Sequence, residues 1–586
     1  MTRPVRVGNA SAFYGDRLAS MRQLVESADI DVITGDYLAE LTMLILWKAR
    51  QKAPDAGYAR TFLTQFEQVA ASCADRGIKV VVNAGGLNPA GMAEAVRAII
   101  ADVGVDLNVA HIEGDDLIPH LARLQAAGEQ FTHLDTGVPL SDAAVQPVSA
   151  NAYLGGWGIA AALSRGADVV ITGRVTDAAL VLGVGAWWHG WDRRDYDALA
   201  GAVAAGHIIE CGPQATGGNY SQLREITDRR YPGSPIVELA RDGSFVITKP
   251  PGSGGLVSPG TVTAQLLYEV GPPPYVNPDV VAHFDTLEIQ AESTDRVRVT
   301  GTKGSAPPPT LKVAMNYIGG YRNTMTMVLT GLDIEDKAAW AVDELFDILG
   351  GRDRFDDVDV QLLRYDKPDP RSIVDATAHL RVTVKHRDRA YVDRAFSNAV
   401  IELAVAGYPG FHTTTPPASA TEFGVYWPTL VPAALVDHVV IHHTGDREII
   451  PHTTDQTGQP AAAPASPPAR PVDYGPTTRR PLGDVVAARS GDKGGNANVG
   501  LWTDTPERWD WLRSHLTVDR FRALVTESAE LPVYRYEFPN LKALNFVIVG
   551  FLGEGVASCT KTDPQAKGLG EYVRALHTDI PDKLAP

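Results

Sequence analysis

An arginine, Arg174, stands just after a strand-like run and its closing glycine in VVITGRVTDAAL, Val169 to Leu180. Placed there, it points into whatever crevice the run borders and offers a planar fork for a carboxylate or phosphate. Thr176 and Asp177 follow at positions suited to capping a helix, and Asp177 is also a candidate proton carrier. VVVNAGGLNPAG, Val80 to Gly91, has the same build. Gly85 and Gly86 let the backbone turn closely, and Pro89 opens a helix whose N-terminus suits an anion, with Asn83 and Asn88 as donors. A tight connection without ligand is the plainer reading.

HIIECGPQATGGNY, His207 to Tyr220, reads as a strand-like run followed by a loop in which Thr216, Gly217, Gly218 and Asn219 could form a concavity of N–H groups for an oxyanion. Cys211 is a candidate nucleophile if its thiol is activated, and otherwise a small core residue. KPPGSGGLVSPGTVTAQ, Lys249 to Gln265, offers Lys249 as a point charge and Gly254 and Gly255 for close backbone approach, but lacks the spacing of a P-loop. ARSGDKGGNANVG, Ala488 to Gly500, crowds Arg489, Ser490, Asp492, Lys493, Asn496 and Asn498 into one loop between two strands, more donors and acceptors than a turn needs. Lys561-Thr562-Asp563 and Lys567-Gly568 could form a second wall of that site. Among acids near strand ends, Asp36, Glu113, Asp115, Asp135 and Asp177 could act as bases or bind a cation through oxygen, Glu113 being a catalytic candidate beside Asp177 and Cys211. His438, His442 and His443 lie on a strand-like run without the spacing of a metal pair, and no metal site is expected.

The elements that must position these residues form a rhythm. Short β-branched runs beginning near Val5, Asp31, Lys79, Leu107, Phe131 and Asp168 each end in a Gly, Asn or Asp turn that leads into a helix-like stretch. Apolar strands alternating with helices predict a parallel sheet covered on both faces, with ligands bound beyond the carboxyl ends of its strands. The expected class is α/β: a parallel βα domain over 1–220, an α+β region over 221–450, a Pro/Ala-rich linker over 451–480 and a small α+β domain over 481–586.

With 586 residues and 44% hydrophobic content, the chain has ample core for several domains. A formal charge of −17 without a basic cluster argues against nucleic-acid and anionic-membrane partners. Three scattered cysteines fit a reducing compartment, and no signal peptide or membrane span is evident, so a cytoplasmic location is expected. The absence of a GxGxxG turn between first strand and helix speaks against a nicotinamide dehydrogenase.

Taken in order, GGLNPAG, TGRVTDAA, ECGPQATGGNY, PPGSGGLVSPGTVTAQLLYE and RSGDKGGNANVG resemble the acyclic terpene utilisation protein A (AtuA) family over nearly the whole chain, and the C-terminal segment resembles that family's ferredoxin-fold extension. The resemblance implies bacterial catabolism of branched isoprenoid acids as CoA thioesters, and it carries no assigned catalytic residues. The expected function is an enzyme acting on a branched or isoprenoid acyl-CoA or related carboxylic acid by lyase, hydratase or thioester-hydrolysis chemistry. Coenzyme A enters as part of the substrate, and no cofactor is assigned. The alternative is a non-catalytic scaffold supporting a CoA-dependent carboxylase. A homo-oligomer is expected in either case.

Overall fold

The computed structural model describes residues 3–453 and 473–585, so the centre of the Pro/Ala-rich linker, 454–472, lies outside the described residues. The chain divides into two compact units. The first comprises Met1–Asn316, Tyr426–Val556 and Gln565–Pro586, and the second comprises Tyr317–Val425 and Ala557–Pro564.

The first unit is built on a mixed sheet. Its strands, in chain order, include β1 (Val5–Asn9), β2 (Val32–Gly35), β3 (Lys79–Val82), β4 (Val109–Glu113), β6 (Val169–Thr172), β7 (Ile236–Leu239) and β8 (Phe245–Thr248), while β5 (Ser149–Ala152) pairs elsewhere. The centre, in the order β1-β2-β3-β6-β4, is parallel throughout. β6 slots between β3 and β4, so the connection β3 to β4 skips a place and β4 to β6 runs back. Antiparallel strands extend both edges: β7, β8, Arg296–Thr300 and Glu288–Ser293 beyond β1, and Val439–Ile441 and Arg447–Ile449 beyond β4. Strands from 236–300 and 439–449 thus join the sheet begun before residue 175, instead of forming a region separated at residue 220.

Two-sided burial explains the unbroken apolar runs. On one face Ile33, Val80, Val82 and Ile171 pack against Leu24, Phe62, Phe66, Met92 and Val96 from the flanking helices. The other face carries the helices Trp157–Ser164, Ala179–His189 and Tyr196–Ile209. HII of the expected strand-like run at 207 is the last turn of that third helix. The Ala-rich stretch before it, YDALAGAVAAG, carries helical hydrogen bonding through His207 to Ile209 despite their β preference, and Glu210 N–H still donates to Gly206 O. FTHLDTG, from Phe131, forms turns rather than a strand, with Phe131 in the left-handed region.

The expected loop at 489–498 is a hairpin of strands Ala487–Lys493 and Asn496–Trp502, turned at Gly494-Gly495. With Ala543–Ile548 and Val533–Phe538 it makes a four-stranded antiparallel sheet. One face takes a helix, Val518–Leu524, through Phe521 stacked on Phe546 at 4.2 Å. The hairpin lies against Leu267 and Tyr268, where Gly491 and Gly500 leave room that a Cβ would fill at 2.5 Å and 2.6 Å respectively. Two buried amides join it to the body. Asn498 Nδ2 donates to Leu267 O at 2.8 Å and its Oδ1 accepts from Glu269 N–H at 2.9 Å, while Asn545 Nδ2 donates to Val270 O and Gly271 O. Asn498→Leu strands a buried carbonyl and a buried N–H, each costing about 1–3 kcal/mol. The expected result is a urea transition displaced to lower denaturant, with the C-terminal tryptophans exposed first by fluorescence quenching.

In the second unit the strands Thr377–His386 and Asp357–Leu363 line up antiparallel beside residues 321–330 of the long strand Thr310–Thr330. The helices Ile334–Ile348 and Arg394–Ala406 cover one face through Leu345, Phe346, Phe396 and Val400. This is the α+β layer expected from the sequence. Among the described residues no helix is long and apolar enough to cross a membrane.

Candidate functional site

Polar residues gather where the parallel strands end. Asp36 follows β2, Asn83 follows β3, Asp115 lies beyond β4, and Gly173-Arg174 follow β6. Asn83 Nδ2 donates to Asp36 Oδ1 at 2.6 Å, and its Oδ1 accepts from Tyr37 N–H at 2.7 Å. Burial, and then the charge of Asp177, push the Asp36 carboxyl well above the usual range against the pull of Arg174.

Arg174 is held from several sides. Its N–H donates to Asp115 Oδ2 at 2.8 Å, its Nη1 meets Asp177 Oδ1 at 2.5 Å, and its Cζ lies 4.1 Å from the centre of the Tyr153 ring. Asp177 does not cap the next helix; Ala178 occupies the cap, which frees the carboxylate for Arg174. Tyr153 lies just past β5, which pairs with Val313–Asn316 and so brings Lys312 alongside. Lys312 Nζ, Tyr153 OH and Tyr426 OH all converge on Glu40 Oε1, at 3.4, 3.3 and 3.5 Å. Burial would raise the Glu40 carboxyl, but Lys312 and Arg174 outweigh it and hold it at about 2. The Arg174 side chain is 3% exposed, whereas Asp177, Glu40 and Lys312 keep 28%, 29% and 38%. Solvent thus reaches Asp177, Glu40 and Lys312 beside a buried arginine, at the strand-end recess that open α/β sheets offer to ligands.

The later segments supply the rest. Lys567 Nζ lies 3.1 Å from both Glu269 Oε1 and Asp492 Oδ1, and Lys493 Nζ donates to Glu269 O at 3.2 Å. Arg489 lies over Tyr268 and donates to Gln214 Oε1. Burial and the Glu269 charge raise the Asp492 carboxyl to about 7. Glu210 feels both groups of residues: burial, Asp177 and Glu269 push its carboxyl well up, against Arg174 and Lys493. Its Oε2 has no partner among the described residues. On the same helix face, His207 Nδ1 lies 3.2 Å from Glu210 Oε1, and burial lowers the imidazole to about 4.

Asn83, Arg174, Asp177, Cys211, Asp492 and Lys493 belong to this neighbourhood. Burial, Glu210 and Glu269 push the Cys211 thiol well up, so it stays protonated, the opposite of an activated nucleophile. Glu113 pairs with His111 at 3.1 Å, and Arg447 is its other charged neighbour. Gly85 and Gly86 serve packing: a Cβ would meet Thr172 O at 2.6 Å and Leu46 Cδ1, respectively, and Gly85 N–H already donates to Thr172 O. Asn88 caps its own helix, accepting from Gly91 N–H at 2.9 Å. Lys249 is tied to Asp295 at 3.1 Å and to Ser253 O. Gly254 and Gly255 close against Arg230 O and Thr216 O, and Thr216 Oγ1 donates to Gly233 O. Gly217 takes a φ of 108°, Gly218 N–H donates to Pro213 O, and Asn219 is exposed. Ser490 binds the 566–570 backbone, Asn496 meets Asp135 Oδ1 at 2.8 Å, and Asn498 docks the hairpin as described. Glu40, Tyr153, Glu210, Lys312 and Tyr426, absent from the expected set, complete the recess.

Asp115 accepts from both Arg174 N–H and Asn151 Nδ2 at 2.8 Å, yet burial raises it to about 7. Its unfolded value is about 3.9, so across the interval the folded state keeps a proton that the unfolded state has released. Its stabilising contribution is complete at low pH and is lost as pH rises through 7. Asp115→Asn is expected to flatten this fall by an amount on the order of a few kcal/mol, read from urea midpoints at pH values on either side of the interval. The raised carboxyls of Asp279, about 6, and Asp492 leave a residual slope of the same sign.

Comparison with protein families adds the evolutionary setting. Residues 5–442 match the family described as acyclic terpene utilisation family protein AtuA, and residues 480–579 match the AtuA ferredoxin-like domain. No curated protein and no solved structure gave a match. The parallel sheet with its loaded strand ends, together with the hairpin sheet docked beside it, is therefore the body and ferredoxin-like domain of a chain that belongs to the AtuA family of acyclic terpene utilisation proteins.

Proposed function

We propose that the recess is the catalytic centre of an enzyme acting on a branched or isoprenoid acyl-CoA or related carboxylic acid, by hydratase or lyase chemistry. Two carboxyls in the field of the Arg174 guanidinium carry this, driven in opposite directions: burial, Asp177 and Glu269 raise Glu210, while Lys312 and Arg174 draw Glu40 down to about 2. Environments that separate carboxyl pKa values in this way assign acid and base roles within one site. Glu210, with an unpartnered Oε2, is the proton donor. Glu40, held ionised by Lys312 and Arg174, is the proton acceptor, and Asp177 keeps the Arg174 guanidinium in place. Arg174 and Lys312 hold the substrate's carboxylate or thioester oxygen and stabilise charge as it develops there. Glu40 fixes Lys312, Tyr153 and Tyr426 around that point.

The protonated Cys211 gives no support to hydrolysis through a thiolate. The test combines calorimetric titration with turnover of branched, α,β-unsaturated acids and their CoA thioesters, followed by loss of the conjugated chromophore. Binding with turnover is the expected result. Neither binding nor turnover with any of them overturns the proposal.

A further inference from the structure

Two groups in the recess repeat one arrangement. Arg174 lies 4.1 Å from the centre of the Tyr153 ring, and Lys312 reaches the same ring at 4.9 Å. Arg489 lies 4.1 Å from the Tyr268 ring, and Lys567 reaches that ring at 4.6 Å. Each arginine is almost wholly buried, at 2% and 4% exposure, and in each the Nε has no partner among the described residues. Each spends another guanidinium nitrogen on a single side-chain acceptor, Asp177 in the first group and Gln214 in the second.

A tyrosine face under a guanidinium fixes its plane and leaves the N–H edge as the part able to bind. A carboxylate matches that edge geometrically, and a neighbouring lysine adds charge without demanding direction. A buried donor without a partner costs about 1–3 kcal/mol, a cost that a bound carboxylate removes. The charge balance agrees. Arg174, Lys312, Arg489, Lys493 and Lys567 outnumber the carboxylates paired with them, Asp177, Glu40 and Glu269, because burial keeps Asp36 and Glu210 from joining these and raises Asp492. Glu210 is influenced by Arg174 and Asp177 from the first group and by Glu269 and Lys493 beside the second.

We propose that these are two carboxylate cradles and that the recess takes a dicarboxylic acid, one carboxylate on Arg174 and Lys312 and the other on Arg489 and Lys567, with Glu210 in reach of both. This rests on the recess being the substrate site, and it narrows the substrate to one with two negative groups.

The test is calorimetric titration of the full chain with the dicarboxylic acids from succinate to suberate, each against its monomethyl ester, which keeps the skeleton and removes one charge. The expected result is a chain length at which the diacid binds at least about tenfold more tightly than its monoester. Arg174→Met and Arg489→Met are each expected to abolish that preference, and combining them should cost no further discrimination. Should a methionine variant fail to fold by circular dichroism, Arg489→Lys replaces it; keeping the charge without the planar fork, it should lose most of the preference. Equal binding of diacid and monoester at every length, or a preference that survives Arg489→Met, overturns the cradles while leaving the recess a substrate site. Failure of every mono- and diacid to bind overturns the cradles as well, while the substrate-site reading stands or falls on the branched acids and their CoA thioesters.

Discussion

Glu210→Gln is expected to lower turnover of a branched acid or its thioester by about 10²–10⁴-fold, the usual share of a positioned general acid, while leaving substrate affinity nearly unchanged. The substitution keeps the shape of the side chain and takes away only its transferable proton. Glu210 ends the buried helix Tyr196–Ile209, so its backbone is fixed by that helix's packing and does not depend on the carboxyl. The charge consequences are small, because burial and the neighbouring Asp177 and Glu269 already keep the carboxyl neutral. A structural role alone would therefore leave the variant active. Loss confined to kcat supports proton donation, and a fully active variant refutes it. Glu210→Asp retains the acid but withdraws it by a methylene, and partial activity is expected.

Gly114→Ala should be among the most damaging single changes in the first unit. Gly114 links β4 to Asp115 at a φ of 107°, where side chains are rarely found, and an added Cβ would lie 1.6 Å from Asp437 O. The obstacle is the backbone leading into the strand Val439–Ile441, so no rotamer change relieves it. Left-handed strain costs about 1–3 kcal/mol, and the overlap adds enough to bring the total to about 4 kcal/mol or more. Gly166→Ala is the control, with a φ of 88° but nothing within 4 Å of the added carbon. The control should lose only about 1 kcal/mol, whereas Gly114→Ala should yield largely insoluble protein or a urea midpoint far below it. Equal stability of the two variants would contradict the close approach at Asp437.

The central sheet was legible because strands buried on both faces write themselves as unbroken β-branched runs, as DVITGD and DVVITG do. The helix ending at Ile209 was harder, since its closing residues prefer strands and only the alanines before them carry the helix onward. That difference matters chemically: three positions apart on a strand, His207 and Glu210 would face opposite sides, but on a helix they meet. Asn83, Arg174 and Asp177 were visible through the turns that follow their strands. The glycines beside them looked like an anion cradle, yet their freedom is used for close packing and left-handed turns. Glu40, Lys312 and Tyr426 sit in no Gly-rich motif, and Tyr153, which precedes Gly155-Gly156, has no charge to mark it as part of a site. They are brought together by pairing of residues 149–152 with 313–316 and by the return of the chain at Tyr426, which no local spacing encodes.

The two asparagines that fasten the hairpin sheet to the body also set an order of events. Arg489, Lys493 and Lys567 all lie in the last hundred residues or so of the chain, so a ribosome-bound or shortened product has the sheet and its acids but lacks most of the recess cations. Until Asn498 and Asn545 find the carbonyls at 267–271, such a product carries an excess of acidic groups at its strand ends. The full set of recess cations is thus assembled only when the hairpin sheet docks on residues 267–271.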